Sequence, residues 1–72
     1  MKVLGIDPGS HITGYGILSS EDQTPHYIAH GLIKMRRNAS LPERLGKVFN
    51  GIVTVMETYE PDVLAIEKVF FA

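Results

Sequence analysis

The sequence has no cysteine, no tryptophan and no long apolar run. Without cysteine, the chain can form neither a disulfide framework nor a thiolate metal site. No apolar stretch reaches the roughly 18 residues that a membrane-spanning helix needs. The N-terminal apolar segment is too short for the core of a secretory signal, and no small-residue cleavage site follows it. We therefore expect a cytoplasmic protein that does not associate with a membrane.

An excess of positive charge is also lacking. Seven Lys and Arg residues stand against eight Asp and Glu residues, which gives a net charge of -1. This balance does not suggest tight binding to nucleic acid, because that affinity comes mainly from the neutralisation of phosphates by Lys and Arg. A local basic patch could still bind DNA, so the overall charge leaves this function class open.

Four apolar runs separated by turn signals predict four β-strands, at residues 2–7, 12–19, 26–34 and 62–67. Polar residues at 20–25 predict a loop of moderate length that joins the second and third strands into an antiparallel hairpin. The fourth run is almost continuously apolar, which predicts burial on both faces. With 72 residues, the chain is expected to form a single small domain.

One helix is predicted between the third and fourth strands. Ser40 and Glu43 match the S-x-x-E capping box, and Pro42 suits the first helical turn. Pro61 is expected to end the helix near Tyr59. Apolar residues recur at helical spacing along one continuous face: Leu41, Leu45, Val48, Phe49, Ile52, Met56 and Tyr59.

Two of the predicted strands end on an acidic residue. Asp7 closes the first strand in "VLGIDPGS", and Glu67 closes the fourth in "VLAIEKVF". The order β-β-β-α-β implies a right-handed crossover, which would place the fourth strand beside the first and parallel to it. Ligands of open α/β sheets bind at the carboxyl ends of the strands. The two carboxylates are therefore expected to converge at one end of the sheet.

Neighbouring carboxylates repel each other unless a cation or a proton lies between them. Their hard oxygen atoms favour Mg²⁺ or Mn²⁺, and two such ions about 4 Å apart can stabilise the attacking and leaving oxygens of a phosphodiester. That chemistry usually needs more than two acids, and no third is obvious. The alternative is structural: Asp7 as a turn former, and Glu67 as the ion-pair partner of Lys2 or Lys68.

The segments "LGIDPGSHITGYGIL" and "AIEKVFFA" resemble the RuvC family of Holliday junction resolvases over essentially the whole chain. The resemblance implies a ribonuclease H-like fold and Mg²⁺-dependent hydrolysis of four-way junction DNA in recombination and repair. It also implies that Asp7 and Glu67 are catalytic metal ligands. Phe70 resembles the aromatic residue that the family stacks on bases at the junction centre. Family members act as homodimers alongside branch-migration proteins.

Further candidates for DNA contact lie near these motifs. They are Ser10 in the turn after the first strand, Lys68 after the second acid, and the basic pair Arg36 and Arg37. Each has a commoner structural explanation. A hydroxyl such as that of Ser10 more often stabilises a turn, and a short basic cluster is more often simply solvated.

Family members are more than twice as long, with further acids and basic helices beyond the matched segment. We expect residues 1–72 to form the N-terminal part of a resolvase domain and to be inactive alone. Two alternatives remain open. One is a nucleotide-binding fold of the actin and sugar-kinase type; the other is a non-catalytic interaction module.

Overall fold

The computed structural model describes residues 1–67, in which three strands, a helix and a fourth strand follow one another along the chain. The elements are β1 (Lys2–Asp7), β2 (Ile12–Glu21), β3 (Thr24–Lys34), α1 (Leu41–Tyr59) and β4 (Val63–Ile66). The sheet has the order β3-β2-β1-β4. Strand β1 is antiparallel to β2 and parallel to β4, so the predicted order and the crossover are confirmed.

The hairpin between β2 and β3 is tighter than predicted. The two strands remain paired as far as Glu21 and Thr24, and Asp22 and Gln23 alone make the turn, both with positive φ (54° and 63°). A two-residue turn of this kind matches the right-handed twist of the strands that it joins. The predicted loop over residues 20–25 is therefore wrong, because strand pairing continues through most of it.

The predicted ends of α1 are confirmed, but its capping box is only half formed. The Ser40 hydroxyl accepts a hydrogen bond from the Glu43 backbone N–H at 3.3 Å. The Glu43 carboxylate does not return this bond and instead pairs with the Arg36 guanidinium. At the other end, Glu60 adopts the left-handed conformation and its N–H donates to the Met56 carbonyl.

Helix α1 lies on one face of the sheet, where Val55 packs with Leu4, Ile6 and Ile17 to form the buried core. The face of α1 that packs on the sheet is rotated about the helix axis relative to the apolar face that the sequence predicts. Val55, which that prediction omits, is buried, and Ile52 and Tyr59 pack partly against the core. Four residues of the predicted face are exposed: Leu41, Leu45, Phe49 and Met56. The apolar residues of α1 cover more of its circumference than the sheet contacts.

Strand β4 is exposed at all four positions, which contradicts the predicted burial on both faces. The reason is its place in the sheet: within the described residues it pairs only with β1. The core under α1 is built from β1, β2 and β3, so Val63, Leu64 and Ile66 are left at the margin. Within residues 1–67, no helix has both the length and the apolar character required to cross a bilayer.

Candidate active site

Asp7 and Glu67 lie side by side at the carboxyl ends of two parallel strands. Asp7 is the last residue of β1, and Glu67 immediately follows β4. Ile6 pairs with Ile66, and the Glu67 N–H donates to the Ile6 carbonyl at 3.0 Å. Neighbouring strands are about 4.8 Å apart, and successive side chains alternate between the two faces. Both acids therefore project from the face opposite α1, and both are exposed.

The two acids border an open trough of about 540 Å³ on the sheet face away from α1. The trough has a floor of small residues, because Gly5 pairs with Gly16 on one side and with Ala65 on the other, while Asp7 pairs with Gly14. Without side chains to cover it, the backbone can be closely approached here by a ligand or another chain. Only the pairing register shows that the small residues of β1, β2 and β4 form one surface.

His30 lies on the far rim of the trough, two strands away from β1. A register shift in the β2–β3 pairing occurs between Ile17 and Leu18. It allows Tyr27 and His30 to share a face, and the Tyr27 hydroxyl hydrogen-bonds the His30 Nδ1 atom. This contact was not predictable from the sequence, because it depends on the register shift between the two strands.

The turn that follows Asp7 is held by hydrogen bonds from the segment after β3 and from α1. A Cβ atom at Gly9 would lie 2.3 Å from the Ile12 carbonyl oxygen, so the turn excludes a larger residue. The His11 carbonyl accepts from the Met35 N–H at 2.9 Å, and the Ser10 carbonyl accepts from the Arg44 guanidinium at 3.0 Å. Ser10 is exposed, three residues after Asp7 in the chain.

The two residues of the predicted basic pair, Arg36 and Arg37, have different surroundings in the structure. Arg36 lines a groove of about 300 Å³ together with Lys34, Arg44, Lys47 and Glu43. Arg36 also forms an ion pair with Glu43, in which both side chains are more than half exposed. Exposed ion pairs contribute little stability, so this one leaves Arg36 able to exchange partners with a phosphate. Arg37, the other member of the pair, is exposed and does not line the groove.

The alternative pairing of Glu67 with Lys2 is wrong. The Lys2 ammonium donates to the Tyr59 carbonyl at 2.8 Å, and the Lys2 backbone N–H donates to the Asp62 carboxylate. These contacts lie at the opposite end of β1 from Asp7. The other suggested partner, Lys68, lies outside the described residues, as does Phe70.

The donor set fits a hard divalent cation that keeps much of its water. Both acids are exposed, and their oxygens are the ligands that Mg²⁺ prefers. Magnesium commonly binds proteins through one or two carboxylates and completes its shell with water and substrate phosphate. Within residues 1–67, no group of three or more His, Asp or Glu residues is arranged to hold a metal.

Comparison with known proteins gives concordant matches. A family model described as crossover junction endodeoxyribonuclease RuvC matches residues 3–72. The RuvC proteins of Geotalea uraniireducens and Cupriavidus taiwanensis are 43% identical over 72 residues and 51% identical over 70 residues, respectively. These alignments cover 100% and 97% of this chain, but only 42% and 39% of the relatives. The chain thus spans about two fifths of the length of these curated relatives.

Two solved structures of Thermus thermophilus RuvC have the same fold. One superposes with a TM-score of 0.83 at 25% identity, covering 96% of this chain and 46% of that protein. The other, in complex with a Holliday junction substrate, gives a TM-score of 0.86 at 26% identity and covers 100% of this chain and 46% of that protein. The ribonuclease H-like fold predicted from the sequence is confirmed.

Proposed function

The chain belongs to the RuvC family of crossover junction endodeoxyribonucleases, and from this premise we propose that it serves in the Mg²⁺-dependent cleavage of four-way DNA junctions. The observation that carries the proposal is the convergence of Asp7 and Glu67 on one exposed sheet edge from adjacent parallel strands. The similar Thermus thermophilus protein in complex with a Holliday junction supports the choice of substrate. The family match favours this function over the actin-like and sugar-kinase-like alternative.

Asp7 and Glu67 would hold the metal ion through their carboxylate oxygens, with Mn²⁺ as a possible substitute for Mg²⁺. When bound, such an ion polarises the scissile phosphate and lowers the pKa of a coordinated water. The two residues act through their placement. Strands β1 and β4 hold the two carboxylates on a common face of the sheet, and because both carboxylates are exposed, a phosphodiester can approach them. The neighbouring glycine floor admits a strand close to the sheet.

DNA contact is proposed for residues around this edge. Ser10 would donate to a phosphate beside Asp7, and Arg36 and Arg37 would neutralise phosphates further along the strand. The family resemblance adds Lys68 as a further phosphate contact and Phe70 as the stacking residue, each base stacked contributing about 1–3 kcal/mol. The basic residues supply affinity and fix the position of the protein on the DNA. Selectivity for the junction requires that the protein recognise the junction's shape.

The active enzyme is proposed to be a homodimer, as the resemblance to the family implies, because two cuts in opposed strands of a four-way junction suit a two-fold symmetric protein. The same resemblance supports action beside branch-migration proteins in the cytoplasm. Residues 1–72 by themselves are proposed to be inactive. Two carboxylates leave a second metal ion without ligands of its own, and loss of its charge stabilisation raises the barrier by several kcal/mol.

A chimeric protein tests the proposal. In it, residues 1–72 replace the matched segment of the Cupriavidus taiwanensis relative, whose 51% identity makes the exchange conservative. We expect the chimera to cut a synthetic four-way junction with Mg²⁺ and not with EDTA, while residues 1–72 alone give no cleavage. Linear duplex of the same sequence is the control substrate. A folded chimera that binds junctions but never cuts them, when the parent relative does, would refute the proposed role of this chain.

A further inference from the structure

The position of Asp7 depends on the short turn that follows it, residues 8–11, which we call the acid turn. The turn is exposed along its length, and such segments are held only by the contacts that their backbone makes. Two hydrogen bonds reach the turn from outside it: the Met35 N–H donates to the His11 carbonyl, and the Arg44 guanidinium donates to the Ser10 carbonyl. Of these two hydrogen bonds, only the one from Arg44 is donated by a side chain.

Arg44 reaches the acid turn from the first turns of α1, 34 residues away along the chain. Its Nη1 atom donates to Ser10, while its Nε atom is buried and has no hydrogen-bond partner among the described residues. A small cavity of about 210 Å³ lies between the acid turn and α1, bordered by Arg44 and by Thr13. Thr13 is 1% exposed, and its hydroxyl likewise has no partner within residues 1–67.

The neighbouring charges leave Arg44 free for this contact. The carboxylate next to it in the sequence, Glu43, is engaged by Arg36. The guanidinium is therefore directed to a backbone carbonyl rather than to an acid. A planar guanidinium has several donors in a fixed arrangement, whereas a lysine ammonium is a point charge on a flexible stem. Such a group can fix the turn relative to the helix in a way that lysine does not reproduce.

We propose that Arg44 is a positioning residue for the metal site: by tying the acid turn to α1, it holds Asp7 in the orientation that binds the cation with Glu67. This inference rests on the proposed function, since it assigns Arg44 an effect on the metal site of that enzyme. Residues that orient metal ligands from outside the coordination shell typically change metal affinity or activity by about 10–100-fold when mutated. Arg44 itself contacts neither the metal nor the reacting phosphate.

The test measures the Mg²⁺ concentration that gives half-maximal junction cleavage by the chimera and its variants. Arg44→Met is expected to raise this concentration by about tenfold, while junction affinity measured with Ca²⁺ in place of Mg²⁺ stays near that of the parent. Arg44→Lys keeps the charge and is expected to resemble Arg44→Met. Glu57→Gln, which removes a charge from an exposed position near the other end of α1, is the control and is expected to keep the parental Mg²⁺ requirement.

Each outcome has a distinct meaning. An unaltered chimera that fails to cut refutes the proposed function, whereas a cutting chimera whose Arg44→Met variant keeps the parental Mg²⁺ requirement overturns this inference alone. Parental behaviour of Arg44→Lys also overturns it, because charge rather than guanidinium geometry would then suffice. Loss of junction affinity with no change in Mg²⁺ requirement would make Arg44 a DNA contact instead. Melting curves fix the assay temperature at which all variants are folded, and Arg44→Lys carries the test if Arg44→Met does not fold.

Discussion

Replacement of Asp7 by Asn in the chimera is expected to lower the rate of junction cleavage by at least about 100-fold, because loss of a direct metal ligand should exceed the effect of an outer-shell residue. Asparagine keeps the size of the side chain and one oxygen but removes the negative charge that attracts a hard cation. Junction binding with EDTA present should be retained, because Asp7 is an acid and makes no favourable contact with phosphate on its own. Single-turnover cleavage and a binding titration measure the two effects separately.

Asp22→Asn provides a matched control for this substitution. Asp22 lies in the exposed hairpin turn with φ of 54°, a conformation that asparagine adopts readily. The same chemical change should therefore leave both cleavage and folding near the parental values. If Asp7→Asn and Asp22→Asn cut at similar rates, Asp7 is not a metal ligand, and the strand-end acids have a structural role.

Leu4→Ala is expected to destabilise the folded chain by about 2–5 kcal/mol, the usual cost of truncating a buried leucine. Leu4 is 0% exposed and lies at the centre of the core with Ile17 and Val55. A domain of this size has a total stability of only about 4–11 kcal/mol, so the substitution removes a large part of it. Urea unfolding followed by circular dichroism measures the difference.

Leu45→Ala is the matched control, because Leu45 is 61% exposed on α1 and alanine is the best helix former. Its effect should stay below about 1 kcal/mol. Equal losses for Leu4→Ala and Leu45→Ala would show that the exposed face of α1 is buried in solution, in the way the sequence periodicity predicted. The comparison therefore tests which side of the helix contacts the rest of the protein.

The topology was predictable because its causes are local. Short apolar runs between turn signals specify strands, the Ser40 cap and Pro61 bound the helix, and the handedness of a crossover places β4 beside β1. From there, the meeting of Asp7 and Glu67 needed only their positions as strand ends. That the two residues bind a metal remains a prediction.

Features that depend on how elements meet were not predictable from the sequence. The turn at Asp22 and Gln23 contains no glycine, and only Asp22 is of a type that favours positive φ, so its composition does not indicate a two-residue turn. The apolar residues of α1 span too wide an arc to show which of them faces the sheet. The glycine floor depends on cross-strand register, because Gly5 and Gly16 are adjacent only in the folded sheet.

Long side chains gave the weakest signals. Glu43 fits a capping box and forms an ion pair with Arg36 instead, since both partners are within its reach. Arg44 lies outside the apolar face that the sequence predicts for α1, yet it binds the acid turn. Flexible charged residues can choose among several partners, and only the folded chain determines which is close enough.

Paramagnetic broadening by Mn²⁺ shows whether Asp7 and Glu67 form one cation site. Residues 1–72 labelled with ¹⁵N are titrated with Mn²⁺, and the loss of each backbone amide signal is recorded. If the two acids share a cation, amides around Asp7, Gly14 and Glu67 broaden first, and Asp7→Asn removes this effect while Asp22→Asn does not. Broadening that begins around Glu57, Glu60 and Asp62, far from Asp7, or that survives Asp7→Asn, would show that Asp7 and Glu67 do not form a cation site.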